Sequence, residues 1–306
     1  MSETKSVLSE REWCEREAAH HARVSRWTEP HRRRKQRGEA HPVMDFLFTY
    51  YSHRPSRLER WQPGYGVALA GGGKFLERRG YIETDDGIMV DPAVLTPSRR
   101  STVEFVLSLL TATAARPAQL GCFGLHEWAM VYRTDPDDVR HTGRPLRLGH
   151  QGTDEVVESM RIRCTHHDAF RFFTDQARPR NTLQPRREDQ VQLEQPGCLH
   201  ANMDMYKWAY KLDPLVPAEL VADCFDLAAR VRELDMRASP YDLGDLGYSP
   251  VPIETPEGRA EYVRRQRAFA EESANLRQRL IDLCRGVLTW ADTSAAAPVE
   301  NIRCTE

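Results

Sequence analysis

The 306-residue chain lacks any apolar run long enough to span a bilayer, and its first residues, Met-Ser-Glu-Thr-Lys, lack the apolar core of a signal peptide. A cytoplasmic protein with no membrane partner is expected. The chain also lacks net charge: the formal value is -2, with 29% charged residues and arginine far outnumbering lysine. No global field therefore draws it onto nucleic acid or an anionic surface. Its seven cysteines form no C-x-x-C pair, which removes the usual structural zinc signature, and in a cytosolic chain of this size they do not describe a disulfide framework. Ala70-Gly-Gly-Gly-Lys74 lacks the spacing and the Ser/Thr of a phosphate-binding loop and reads as a connector. No internal repeat of fixed period is present.

What is present is helical periodicity. Residues 99–115 carry Val103, Val106, Leu109 and Leu110 at helical spacing, with Ser101 or Thr102 as cap. Residues 217–237 place Leu220, Cys224, Leu227, Val231 and Leu234 on one face, and a second long amphipathic helix covers 257–288. Pro42 suits the first turn of a helix that turns Phe46, Leu47 and Tyr50 to the core. Residues 81–90 read as a β-hairpin turning at Asp86-Gly87, and 156–165 alternate as a strand does. The expected fold is α+β and predominantly helical, with this hairpin and strand as its small β component. One main domain spans 41–292. Residues 1–40, polar and with the basic run His31-Arg-Arg-Arg-Lys35, are expected as a solvated helix and linker outside the core, and 293–306 as a flexible tail. The Asp-, Gly- and Pro-rich stretch 134–145 reads as an exposed loop, and 176–195 as a long one.

The chemistry concentrates in three clusters, each a cysteine followed within four residues by histidine. These are Cys122…His126-Glu127, Cys164…His166-His167-Asp168 and Cys198…His200…Asp204, with His41 and Asp45 as a candidate fourth. Pro196-Gly197 starts a helix near Cys198 that has no breaker until Asp213-Pro214. On it His200 and Asp204 stand one turn apart on one face. Such a pair can hold a metal, move a proton or simply brace a helix. His126 and Glu127 are adjacent, so they can share a site only at an element's end or between two neighbouring sites.

Histidines with carboxylates suit a first-row metal, and two His with one carboxylate suit non-haem iron, placing Fe ahead of Zn. The candidate ligands are His126, His166, His167, Asp168, His200, Asp204, Cys164 and Cys198, with Cys164 and Cys198 open between ligand and buried thiol. Glu127, Asp204 and Tyr206 are the candidate catalytic residues. Trp128, Tyr132, Tyr206 and Trp208 are candidates to line an aromatic pocket, although core packing is the commoner role for any one of them.

The stretches beginning at His41-Pro-Val-Met-Asp-Phe-Leu-Phe-Thr-Tyr-Tyr, Leu125-His-Glu-Trp-Ala-Met-Val-Tyr and Cys198-Leu-His-Ala-Asn-Met-Asp-Met-Tyr-Lys-Trp-Ala-Tyr-Lys-Leu resemble an actinobacterial protein group with cyanobacterial and plant relatives, labelled 3-methyladenine DNA glycosylase. The resemblance covers residues 41 to about 288. It implies cleavage of the N-glycosidic bond of an alkylated base, with DNA as partner and an ionised carboxylate, Asp204 or Glu127, stabilising the sugar or orienting water. Helix-hairpin-helix glycosylases carry a Leu-Pro-Gly-Val-Gly-like hairpin, and the nearest segment here, Gln195-Pro-Gly-Cys-Leu, lacks its second glycine.

Three readings follow. The residues themselves favour a metal-dependent enzyme, an oxidoreductase or hydrolase, acting on a small planar or aromatic substrate. The resemblance implies a glycosylase. Clusters of this kind also occur in proteins that bind a metal or cofactor without turnover.

Overall fold

The computed structural model describes residues 6–134 and 144–296, with side chains through 293. The described residues form eleven α-helices and one four-stranded sheet; the chain is 59% helical and 6% strand, the expected helix-dominated α+β fold. The strands are β1 (Ser6–Leu8), β2 (Val67–Leu69), β3 (Tyr81–Thr84) and β4 (Gly87–Val90), in the order β1-β2-β4-β3. The hairpin β3–β4 pairs antiparallel from Tyr81↔Val90 to Thr84↔Gly87, close to the expected turn. The helices are α1 (Glu10–Gln36), α2 (Phe46–Tyr50), α3 (Pro55–Leu58), α4 (Pro97–Ala114), α5 (Leu125–Ala129), α6 (Gly149–Ser159), α7 (His167–Phe170), α8 (Gln190–Leu193), α9 (Leu199–Lys211), α10 (Ala218–Arg237) and α11 (Pro256–Ala296). Among them, no helix is long and apolar enough to cross a membrane.

Helix α9 is the centre of the molecule. Residues 199 to 206 are buried without interruption, so this helix is enclosed on all sides and packs chiefly against α10 and α11. Its neighbours were legible: the five apolar positions of α10 are all buried, as are Val103, Val106, Leu109 and Leu110 of α4. The α4 cap is Thr96, whose hydroxyl accepts from the Arg99 amide, rather than Ser101 or Thr102. Helix α2 begins at Phe46, after a turn over 42–45 rather than at Pro42. Leu47 is buried, and Phe46 and Tyr50 pack on the core.

Three expectations are corrected. Residues 156–165 are not a strand: α6 runs to Ser159, and only an isolated bridge, Ile162↔Asn181, follows. The N-terminal segment is part of the structure rather than a solvated extension. Helix α1 buries Trp13, His20, Val24, Thr28 and His31, and β1 pairs in parallel with β2. Its basic run is committed within the chain, with His31 and Arg34 on Asp45, Arg32 on Glu59 and Arg33 on Glu29. Helix α11 carries the chain through Ala296, so the expected tail begins in helix, and 297–306 lie outside the described residues. Most of the 134–145 loop also lies outside them.

The glycine run closes a turn against α1, and Lys74 caps the Trp13 ring at 4.5 Å while pairing with Glu17 at 2.5 Å.

Candidate metal centre

The site is assembled where four short backbone features meet. The turn before α9 is held by Gln195, whose Oε1 accepts from the amides of Gly197 (2.7 Å) and Gln119 (2.8 Å), and by Gln266, which donates to the Gly197 carbonyl at 2.6 Å. A Cβ at position 197 would stand 2.6 Å from the Gln119 carbonyl oxygen, so only glycine fits this approach. Asn202 donates to the Pro196 carbonyl and accepts from Arg277 at 2.7 Å, which fixes the helix start to α11. Helix α9 then opens at Cys198 as N-cap, placing His200 in its first turn and Asp204 one turn further on.

Helix α5, with His126 and Glu127, follows two left-handed residues, Phe123 (φ 50°) and Gly124 (φ 73°). A left-handed phenylalanine is uncommon outside functional segments. His166 ends the extended stretch after α6 and is the N-cap of α7. Asp235 lies in the last turns of α10.

Three buried imidazoles form a row. The His126 and His200 rings lie 4.4 Å apart edge to face, and the His200 and His166 rings lie 5.3 Å apart and nearly parallel. A carboxylate group stands at each end. At one end, His126 Nε2 is 2.8 Å from Asp235 Oδ1, while Arg232 bonds Asp235 Oδ2 at 3.0 Å and Glu127 at 2.7 Å. At the other, His166 Nε2 lies 3.4 Å from both Asp204 and Glu194. Asp204 further accepts from Tyr51 (2.7 Å) and Lys207 (2.6 Å), and Lys207 also reaches Asp168 at 3.1 Å. Ligand atoms of His126, His200 and Asp235 lie within 4.8 Å of one another, as do those of His166, Glu194 and Asp204.

The residues fit a metal. Despite their 2.8 Å separation, His126 Nε2 and Asp235 Oδ1 are not in an aligned hydrogen bond, and both ring nitrogens of His166 lack one. Buried polar atoms are costly when left without a partner, and nitrogen and oxygen donors this close together are within reach of one ion with bonds of about 2.0–2.2 Å.

The electrostatics divide the row. Burial opposes a charged His126, yet Asp235 holds its pKa well above the ordinary value. Burial likewise works against an ionised Asp235, and His126 still holds it low. Burial and then the charge on His126 push His200 well below its usual value, leaving a neutral ring with a free lone pair. At the far end, burial is outweighed for His166 by Asp204 and Glu194, and for Asp204 by Lys207. Glu194 is raised by burial.

A cavity of about 720 Å³ opens on this row, and His126 and His200 line it while His166, Glu194, Asp204 and Asp235 do not. Its apolar wall includes Phe123, Met160 and Tyr262, and its polar wall Arg161, Arg163 and Arg259. Among the described residues Arg161 and Arg163 are exposed and make no ion pair.

The sequence-derived candidates are thus partly gathered and partly dispersed. His126, His166, His200 and Asp204 come together, but His200 and Asp204 divide between the two groups instead of pairing. Glu127 serves Arg232, and His167 is more exposed and lies beside Asp168. Cys164 and Cys198 line the cavity as thiols that burial pushes up in pKa, and Cys122 Sγ lies 3.8 Å from His126 Nδ1. Tyr206 bonds His53 Nδ1 at 2.8 Å, away from the cavity. Trp128 donates to the Ala238 carbonyl, Tyr132 bonds Glu158 and Trp208 packs on Phe105, so none of the expected aromatics lines the cavity. His41 does not form a side-chain pair with Asp45: its ring accepts from the amides of Val43 and Met44, and its own amide donates to Asp45.

Sequence reasoning missed Asp235 and Glu194. Asp235 had a signal, since it follows Val231 by one turn on the apolar face of α10 and stands three residues from Arg232. Glu194, in a turn before proline, had none.

Comparison with family models, with curated proteins and with solved structures finds no match to this chain.

Proposed function

We propose that this protein is a metal-dependent enzyme, with non-haem iron ahead of zinc, acting on a small planar substrate that carries an anionic group. The observation that carries the reading is that two neighbouring imidazoles of a buried His126–His200–Asp235 donor set also line a substrate-sized cavity. Two histidines and one carboxylate are the donor set of many oxygen-using iron sites. The metal supplies polarisation of a substrate oxygen or activation of water, or of oxygen where it is iron.

The chain's own groups account for the rest. Arg232 takes Oδ2 of Asp235 and leaves Oδ1 turned toward the imidazoles, the kind of outer contact that fixes a ligand's orientation. Phe123 and Tyr262 offer faces to a flat molecule. The uncommitted guanidiniums of Arg161 and Arg163 suit a carboxylate or phosphate on it.

The test is elemental analysis of freshly purified protein, with absorption spectra taken anaerobically and in air. Bound iron with an air-sensitive spectrum, lost in His126→Ala and His200→Ala with helicity retained, is the expected result. Protein that purifies without metal and takes none up on reconstitution overturns it. The glycosylase activity implied by the resemblance needs an ionised carboxylate at the reacting sugar, and neither Asp204 nor Glu127 lines the cavity. Base release from alkylated DNA that survives a chelator would replace the metal reading with that one.

A further inference from the structure

A second cleft, of about 680 Å³, lies between α3, the β3 hairpin strand and the start of α4, and shares no lining residue with the first. Five arginines line it, Arg57, Arg60, Arg78, Arg79 and Arg99, against two acids, Asp91 and Asp213. Arg78 is engaged by the Trp61 carbonyl and by Glu17. The other four are exposed and make no ion pair among the described residues. Asp91 uses its carboxylate to cap the Ala93 amide. Burial raises the pKa of Asp213, against a hydrogen bond from Gln62 and the charges of Arg57, Arg60 and Arg99.

Two further features favour an anion here. The 18-residue helix α4 points its N-terminal turn at the cleft through Thr96 and Arg99, and that turn carries no acidic residue to offset the positive end of the dipole. Tyr81 lines the cleft with a buried hydroxyl that makes no aligned hydrogen bond and lies beside Arg78. A single carboxylate would leave most of this charge unmatched, whereas guanidiniums bind phosphate oxygens in bidentate fashion and a di- or triphosphate carries several charges. The volume suits a small molecule.

We propose that this cleft binds a small organic di- or triphosphate through Arg57, Arg60, Arg79 and Arg99, with the positive end of the α4 dipole and the Tyr81 hydroxyl completing the site. Nothing in the metal reading is needed for this.

The test uses the full chain, titrated calorimetrically with inorganic pyrophosphate, ADP and a single-stranded oligonucleotide. Pyrophosphate and ADP are expected to bind with salt-dependent affinity. Arg99→Glu and Arg60→Glu should each weaken both ligands at least tenfold, while Arg285→Glu, on the exposed face of α11 and in neither cavity, should leave them unchanged. The substituted side chains are exposed, so folding is expected to survive and is verified by circular dichroism. No binding of either phosphate at millimolar concentration overturns the proposal. Equal loss of binding in Arg285→Glu also overturns it, as does tight binding of the oligonucleotide alone, which would make the cleft a polynucleotide groove.

Discussion

The two histidine–carboxylate groups use the same residue types at the same depth, yet they face different surroundings. In the His126 group, two imidazoles reach a cavity and one of them is held neutral. In the His166 group no member reaches that cavity, and Asp204 is already served by Lys207 and Tyr51. Composition therefore does not separate a reactive site from a structural one. Access to the cavity does.

The largest test of this contrast is His200→Ala. It should lower metal affinity by more than about 100-fold, since even outer partners of a ligand carry 10–100-fold, with little change in helicity. Asp204→Asn should do the reverse: it leaves Lys207 and His166 buried beside a neutral amide, costs about 3–5 kcal/mol of stability and spares most of the metal. Chemical denaturation and elemental analysis on both variants decide the matter, and an exchange of the two outcomes would swap the roles of the groups.

Asp45 provides a control distant from the cavity. Burial pushes its carboxyl up, but Arg34 and His31 hold it below its ordinary value. Its folded pKa lies under the unfolded one, so its stabilisation is complete above about pH 4 and fades as pH falls through the folded value. Asp45→Asn should cost about 3 kcal/mol at neutral pH and flatten the acid limb of a stability–pH curve without changing metal content. Smallest is Gly197→Ala, where a methyl group against the Gln119 carbonyl should cost about 1–3 kcal/mol. If it also weakens metal binding, the start of α9 positions His200 as well as supporting it.

Much of the framework was legible because α4, α10 and α11 repeat apolar residues at helical spacing and the hairpin carries Asp-Gly. Helix α6 was not, because Gly149 and Gly152 disguise its start and the adjacent Val156 and Val157 resemble strand residues; both are buried by a helix. Helix α1 was misplaced because its buried positions include His20, Thr28 and His31, polar residues whose spacing fits a helix face but whose chemistry does not announce a core. At the site, the three histidines were legible as residue types beside cysteines. Their partners were not, because Asp235 and Glu194 join them only through tertiary packing, over more than one hundred residues in the case of Asp235 and His126.

The two groups draw on residues from His126 to Asp235. A ribosome that has completed α9 but not α10 holds all three imidazoles but not Asp235, the carboxylate of the His126–His200 group. If that group takes a metal, capture must await the last third of synthesis, and a chain truncated before α10 should emerge unable to load, whatever the metal supply.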